Sequence, residues 1–170
     1  LEMLALMPFT HSNHATLLID GERTYDALFA TIDAAEKYIL VHYYIIRDDR
    51  TGRDFQARLM AKARAGVRIY LIYDEIGSFS LPGAYLDALR EAGVEVCPFH
   101  STKGKANRFQ LNFRNHRKVV IVDGAAAFVG GLNIGDEYLE GTAKLGPWRD
   151  THLQLSGPCV QCVQLAFLED

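Results

Sequence analysis

The dipeptide Asp123-Gly124, set between the apolar stretches Val119 to Val122 and Ala125 to Gly131, constrains this chain's fold more than any other feature. Asp-Gly between two such runs favours a two-residue type I′ turn, because both central residues must take positive φ. The expected register closes Val122 on Ala125, sets Lys118 opposite Val129 and sets His116 opposite Gly131. Asn133 then returns to the end of the hairpin where His116 lies. Residues two apart on a strand share a face, so His116 and Lys118 point the same way. Gly130 and Gly131 are expected to leave room for an anion to approach backbone N–H groups.

These residue types suit phosphate. An imidazole can attack phosphorus, while a lysine and an asparagine can hold the oxygens. Asp123 stands apart, seven residues along the strand from His116, or about 23 Å at roughly 3.3 Å per residue. In this geometry it cannot orient that imidazole. Its expected job is structural, in the turn, through hydrogen bonds to nearby backbone.

The rest of the chain alternates helix and strand. Tyr25, Leu28, Phe29 and Ile32 mark a helical face before a strand from Tyr38 to Ile46. Phe55, Leu59 and Ala63 mark a second helix, ended by Gly66 before a strand from Val67 to Tyr73. Pro82 near a helix start, with Leu86 and Leu89, marks a third, ended by Gly93 before Val94 to Cys97. Pro158 and the apolar residues after it predict one turn of a closing helix. The pattern is a mixed α/β sandwich in which helices cover a sheet. Irregular stretches are expected from Ser78 to Gly83 and from Phe99 to Asn115, the second leading into His116 as a substrate-binding loop would.

A chain of 170 residues with 49% hydrophobic content makes one globular domain with a real core. Residues 17–170 are assigned to it and residues 1–16 to an N-terminal extension. A net charge of −3 gives no general drive toward nucleic acid. Between Val96 and Val122, however, there is no acid, and Lys103, Lys105, Arg108, Arg114, Arg117 and Lys118 gather there. That stretch reads as a patch for an anionic substrate or surface, or, at Lys103 and Lys105, equally as a solvated loop. Cys97, Cys159 and Cys162 are an odd count with no disulfide framework, consistent with a reducing compartment. The lone Cys159–Cys162 CxxC is a weak metal signal, and no metal is expected. His42, inside an apolar run, reads as a core or pocket-wall histidine. No run reaches eighteen apolar residues, so no segment reads as a membrane-spanning helix.

His116, Lys118, Asp123, Gly130, Gly131 and Asn133 together fit H-x-K-x4-D-x6-G-G-x-N, and the chain thereby resembles the phospholipase D superfamily. Blocks outside the motif narrow the resemblance: Leu17-Leu18-Ile19-Asp20-Gly21, Tyr44-Ile45-Ile46-Arg47-Asp48-Asp49, Tyr73-Asp74-Glu75-Ile76-Gly77-Ser78, Phe113-Arg114-Asn115-His116-Arg117-Lys118, Gly135-Asp136-Glu137-Tyr138 and Gly146-Pro147-Trp148-Arg149-Asp150-Thr151-His152. Together they are similar to bacterial cardiolipin synthases over nearly the whole chain.

The resemblance implies an α/β fold, a mixed β-sheet flanked by helices on both faces, as one half of a pseudo-two-fold enzyme. It implies a metal-free phosphatidyltransferase, without cofactor, in which His116 attacks phosphatidylglycerol and a phosphatidyl-histidine forms. Lys118, Asn133 and Gly131 would hold phosphate. Asp123 belongs to the signature catalytic set with His116 and Lys118. Asp150 would orient His116, or else simply pair with Arg149 on the surface.

The implied partners are phosphatidylglycerol or another anionic phospholipid, a membrane surface, and a second motif-bearing half or a second copy of the chain. Nucleic acid is not expected. The parent protein would work at the cytoplasmic face of the bacterial inner membrane, with this chain alone soluble. Family members carry two motifs and N-terminal membrane helices; this chain has one motif and none of the helices, as half an enzyme would. Two other readings compete: a single-motif phosphodiesterase or nuclease active as a homodimer, and a folded domain used for association.

Overall fold

A computed structural model of the chain describes residues 9–99, 115–141 and 146–169. Lys103, Lys105, Arg108 and Arg114, and with them most of the basic patch, lie outside the described residues. The order is β1 (His14–Ile19), α1 (Asp20–Asp33), β2 (Tyr38–Tyr43), α2 (Arg50–Arg64), β3 (Arg68–Asp74), α3 (Gly83–Glu91), β4 (Glu95–Phe99), β5 (Lys118–Val122), β6 (Ala126–Gly130), α4 (Glu137–Glu140), β7 (Thr151–Ser156) and α5 (Cys159–Leu168). β1 thus begins inside the segment assigned to an N-terminal extension. The closing helix runs well past the single turn expected after Pro158.

Seven strands form one mixed sheet in the order β1-β7-β6-β5-β2-β3-β4. β2, β3 and β4 run parallel to one another, and the remaining neighbours are antiparallel. Apolar residues three and four apart turn α1, α2 and α3 onto one face, where Tyr25, Leu28, Ile32, Phe55, Leu59, Tyr85, Leu86 and Leu89 join the larger core. On the other face α5 contributes Val160 and Phe167 to a smaller core with Leu40, Ile121 and Ala127. Helices therefore cover both faces.

The two helix–Gly–strand joins have one geometry. Gly66 and Gly93 take φ 93° and 98°, the left-handed conformation that closes a helix. The residue after each glycine donates back into the last turn, Val67 to the Lys62 carbonyl and Val94 to the Leu89 carbonyl, both at 3.0 Å. This places β3 and β4 side by side with parallel register.

The central hairpin corrects the expected register by one residue. Asp123 and Gly124 do take positive φ, 55° and 64°, and the Ala125 N–H donates to the Val122 carbonyl at 3.0 Å, as the turn requires. Ala125, however, is an extra residue in the returning strand. Pairing resumes with Val122 opposite Ala126 and Val119 opposite Val129. A slip of one residue exchanges the two faces of a strand, so Val129 turns to the smaller core's side and Gly130 to the larger one's. The cause is local. The turn is anchored to the start of β2, with the Asp123 N–H donating to the Tyr38 carbonyl at 2.9 Å.

Candidate active site

The site forms where β2 ends and β5 begins, because those antiparallel neighbours pair Tyr43 with Lys118. The chain leaving β2 is held open as a platform. Ile46 makes a parallel bridge with Ile134, the Arg47 N–H donates to the Ile134 carbonyl at 3.0 Å, and the Ile134 N–H donates to the Ile45 carbonyl at 3.2 Å. Asp49 and Asp136 fasten this platform to the start of α2. Asp49 accepts from the Gly52 N–H at 2.9 Å and the Asp136 N–H at 2.7 Å, and Asp136 accepts from the Thr51 N–H at 2.8 Å. Carboxylates at a helix start satisfy its free N–H groups. The donors Thr51 and Arg50 hold Asp136 below the usual carboxylate range despite its burial.

Tyr44, on that platform, supports the histidine. The His116 ring stacks on it with centroids 3.8 Å apart and planes 27° apart. The Lys118 ammonium lies 5.3 Å from the centre of the same ring and donates to the His116 carbonyl at 2.7 Å. Lys118 is only 8% exposed. Burial lowers its pKa from the ordinary lysine value, and the negative charge of Asp150 opposes that shift. One proton of the ammonium is used on the His116 carbonyl, which leaves the others for an anion.

Asn133 reaches the same platform from the other side. Its Oδ1 accepts from the Ile45 N–H at 3.0 Å and its Nδ2 donates to the Tyr138 hydroxyl at 2.7 Å. Tyr25 locks its backbone by donating to the Asn133 carbonyl at 2.6 Å. Asn133 is 6% exposed, and these bonds leave one amide proton uncommitted. Burial pushes the Tyr138 hydroxyl up to about 12, with the Asn133 bond acting against that.

The two glycines lie against side chains at the start of β7. A Cβ on Gly130 would stand 2.3 Å from His152 Nδ1, and one on Gly131 would stand 2.5 Å from Asp150 Oδ2. Their missing side chains make room for His152 of β7 and for Asp150 just before it. Asp150 accepts from the Thr151 N–H at 2.7 Å and, at a long 3.4 Å, from the Trp148 indole. Its backbone is clamped by Asp20, whose carboxylate accepts the Asp150 N–H at 2.9 Å and whose own N–H donates to the Asp150 carbonyl at 3.0 Å. Asp20 takes φ 62° to do this, a conformation Asp tolerates better than most residues. Asp150 makes no hydrogen bond to His116 here. Its charge nevertheless acts on both Lys118 and His152.

Asp123 is not brought into this site. It stands at the far end of β5, where its carboxylate accepts the backbone N–H groups of Glu36 at 2.8 Å, Lys37 at 2.7 Å and Tyr38 at 2.8 Å. Burial alone would raise its pKa, but those three donors and the Lys37 charge hold it below the usual carboxylate value. The signature groups Asp123 with His116 and Lys118; the fold separates them, because the hairpin puts a strand's length between.

Two side chains in the site were not singled out from the sequence. Tyr44 lies only in a block of family resemblance, and nothing local marks it as the support for His116. His152 is 1% exposed, and neither ring nitrogen has a hydrogen-bond partner. Its place two residues from Asp150 in the sequence is the signal that was available. His42 lines a cavity of about 400 Å³ with Val119, Val129 and Phe167, on the side of the sheet away from Lys118. Among the described residues no three His, Cys, Asp or Glu side chains gather as a metal site. No helix among them is long and apolar enough to cross a membrane.

A family model described as cardiolipin synthase, PLD-like domain, matches residues 28–144. Over 167 residues, 98% of this chain, the sequence is 49% identical to cardiolipin synthase A of Pseudomonas putida (strain W619). It is 52% identical over the same share to cardiolipin synthase A of Pseudomonas syringae pv. syringae (strain B728a). Each match covers 35% of the relative, so the chain spans about a third of the length of these curated proteins. Among solved structures, NucT from Helicobacter pylori superposes with a TM-score of 0.70 at 18% identity, over 93% of this chain and 95% of that one. Nuc from Salmonella typhimurium, a phospholipase D family member, gives 0.68 at 16% identity over 93% of each. At such identities these two structures speak for the fold alone.

Proposed function

The chain belongs to the cardiolipin synthase family of phospholipase D-like domains, and from that premise we propose that it supplies one half of a phosphatidyltransferase site that joins two phosphatidylglycerol molecules into cardiolipin and glycerol. The observation that carries this reading is the shared support at Tyr44: one aromatic ring stacks on the His116 imidazole and lies 5.3 Å from the Lys118 ammonium. A nucleophile and a cation for the phosphate oxygens are thereby fixed next to each other before substrate arrives.

In the first step a ring nitrogen of His116 attacks phosphorus. The phosphorus–oxygen bond to glycerol breaks, and the departing oxygen takes a proton from a second histidine outside this half-site. In the second step that histidine recovers a proton from the hydroxyl of another phosphatidylglycerol. This hydroxyl's oxygen attacks phosphorus and the phosphorus–nitrogen bond breaks. Lys118 and the free amide proton of Asn133 stabilise the charge that builds on the phosphate oxygens. Asp150 orients the His116 imidazole once substrate seats it. The second histidine comes from another motif-bearing half or from a second copy of the chain across a two-fold axis. The parent protein would work at the cytoplasmic face of the bacterial inner membrane.

The test is the transfer of a labelled phosphatidyl group to a second phosphatidylglycerol. His116→Ala should abolish it with the fold intact. Full transfer by that variant would remove His116 from the chemistry.

A further inference from the structure

Among the described residues, His152 is a buried histidine at the site that the reaction above does not use. A polar ring sealed from water without a partner destabilises a fold, so its presence calls for another reason. Room has been made for it: Gly130 lies directly opposite His152 in the β6–β7 ladder, and any Cβ there would collide with the ring. The neighbouring Gly131 clears the same kind of space for the Asp150 carboxylate. Two consecutive glycines thus admit two side chains near the start of β7, that of Asp150 just before the strand and that of His152 within it.

We propose that His152 is a positioning residue for Asp150, its neutral ring donating an N–H to the Asp150 carboxylate when that carboxylate turns onto His116. The inference rests on the reading of His116 as nucleophile and Asp150 as its orienter. A carboxylate offers about four acceptor positions. Asp150 uses one firmly, on the Thr151 N–H at 2.7 Å, and one weakly, on the Trp148 indole at 3.4 Å. The weakly held oxygen is the one free to turn.

Of the other charged groups near this end of the sheet, Asp20 and Arg149 bond the Asp150 backbone, and Lys118 lies on β5, separated from the ring by β6. Burial holds the ring's pKa down at about 4, with Asp150 pulling the other way, so the ring stays neutral at physiological pH. A neutral donor fixes the anion without cancelling the charge that His116 needs beside it.

The experiment compares His152→Phe, His152→Leu and His152→Gln, each alone and on Asp150→Asn, in the chain supplied with its second motif-bearing half. Thermal melts and the single-turnover rate of phosphatidyl transfer are both read. The apolar variants should melt as high as the parent or higher, yet transfer at least tenfold more slowly. His152→Gln, which keeps an N–H donor, should recover most of the rate. On Asp150→Asn, His152→Phe should cost nothing further, because the group it positions has gone. A role in packing alone predicts the opposite pattern, with the apolar variants fully active and Gln impaired, and that result overturns the proposal.

A second readout does not depend on turnover. With inorganic phosphate as the probe, the imidazole 15N signals of His152 in the chain should report one tautomer and should shift in Asp150→Asn. A tautomer mixture indifferent to Asp150→Asn would refute the inference even if His116 proves to be the nucleophile.

Discussion

Replacing Asp123 by Ala separates the signature's structural residue from its reacting ones. The substitution strips three backbone N–H groups, those of Glu36, Lys37 and Tyr38, of their acceptor in one step. A hydrogen bond to a charged group contributes roughly 1.5–3 kcal/mol when shielded, and less where water competes. Two of the three donors are exposed and one is part-buried, so the total loss should be about 3 kcal/mol rather than the sum of three shielded bonds. For a chain of 170 residues that corresponds to a fall in Tm of about 6–12 °C.

The carboxylate's pKa lies below its ordinary value in the folded chain, so its stabilisation is present above pH 4 and fades as pH falls through the folded value. Thermal melts at pH 7 and pH 3 should therefore show a large gap between parent and variant at the first pH and a smaller one at the second. Transfer per folded molecule, measured well below the variant's Tm, should stay within a few-fold of the parent. A variant that melts like the parent but transfers nothing would refute the reasoning, since it would put Asp123 into the chemistry.

Acid should expose His152 in a different window. Its folded pKa of about 4 against 6.5 means that the unfolded chain binds the extra proton first. Stability is therefore full above pH 6.5 and falls toward pH 4, by two and a half units at 1.36 kcal/mol each, or about 3 kcal/mol. Denaturant melts of His152→Phe between pH 7 and 4 should lack that slope, and an unchanged slope would contradict the assignment. Gly130→Ala should cost about 1–3 kcal/mol by overpacking against the ring, and His152→Ala in the same chain should return most of it; failure of that rescue would show the clash lies elsewhere. Because burial lowers the Lys118 pKa, phosphatidyl transfer should decline on its alkaline side below the ordinary lysine value of 10.5. A rate that holds flat up to that pH would mean that the Lys118 charge is not needed.

The alternation of helix and strand was legible because each element carries its own period and its own stop. Gly66 and Gly93 ended helices where the Ala-Gly-Val pattern placed them. The Asp123-Gly124 turn was legible for the same reason. The extra residue at Ala125 was not, since a bulge uses the same turn chemistry and is decided by a distant contact, the Asp123 anchor on residues 36–38.

Long-range geometry also hid what the glycines are for. Sequence shows two residues without side chains, and only the β6–β7 ladder shows that His152 and Asp150 fill the space. Tyr44 was unreadable in the same way, because its contact with His116 spans 72 positions and depends on β2 and β5 being neighbours. His116, Lys118 and Asn133 gathered at one end because a hairpin of any nearby register returns them there.

The most direct test of the account is the intact mass of the chain, supplied with its second motif-bearing half, after brief exposure to phosphatidylglycerol in detergent and acid quench. The account predicts a phosphatidyl adduct on this chain, mapped to His116 and absent from His116→Ala. An adduct that persists in His116→Ala, or that maps to another residue, would contradict it.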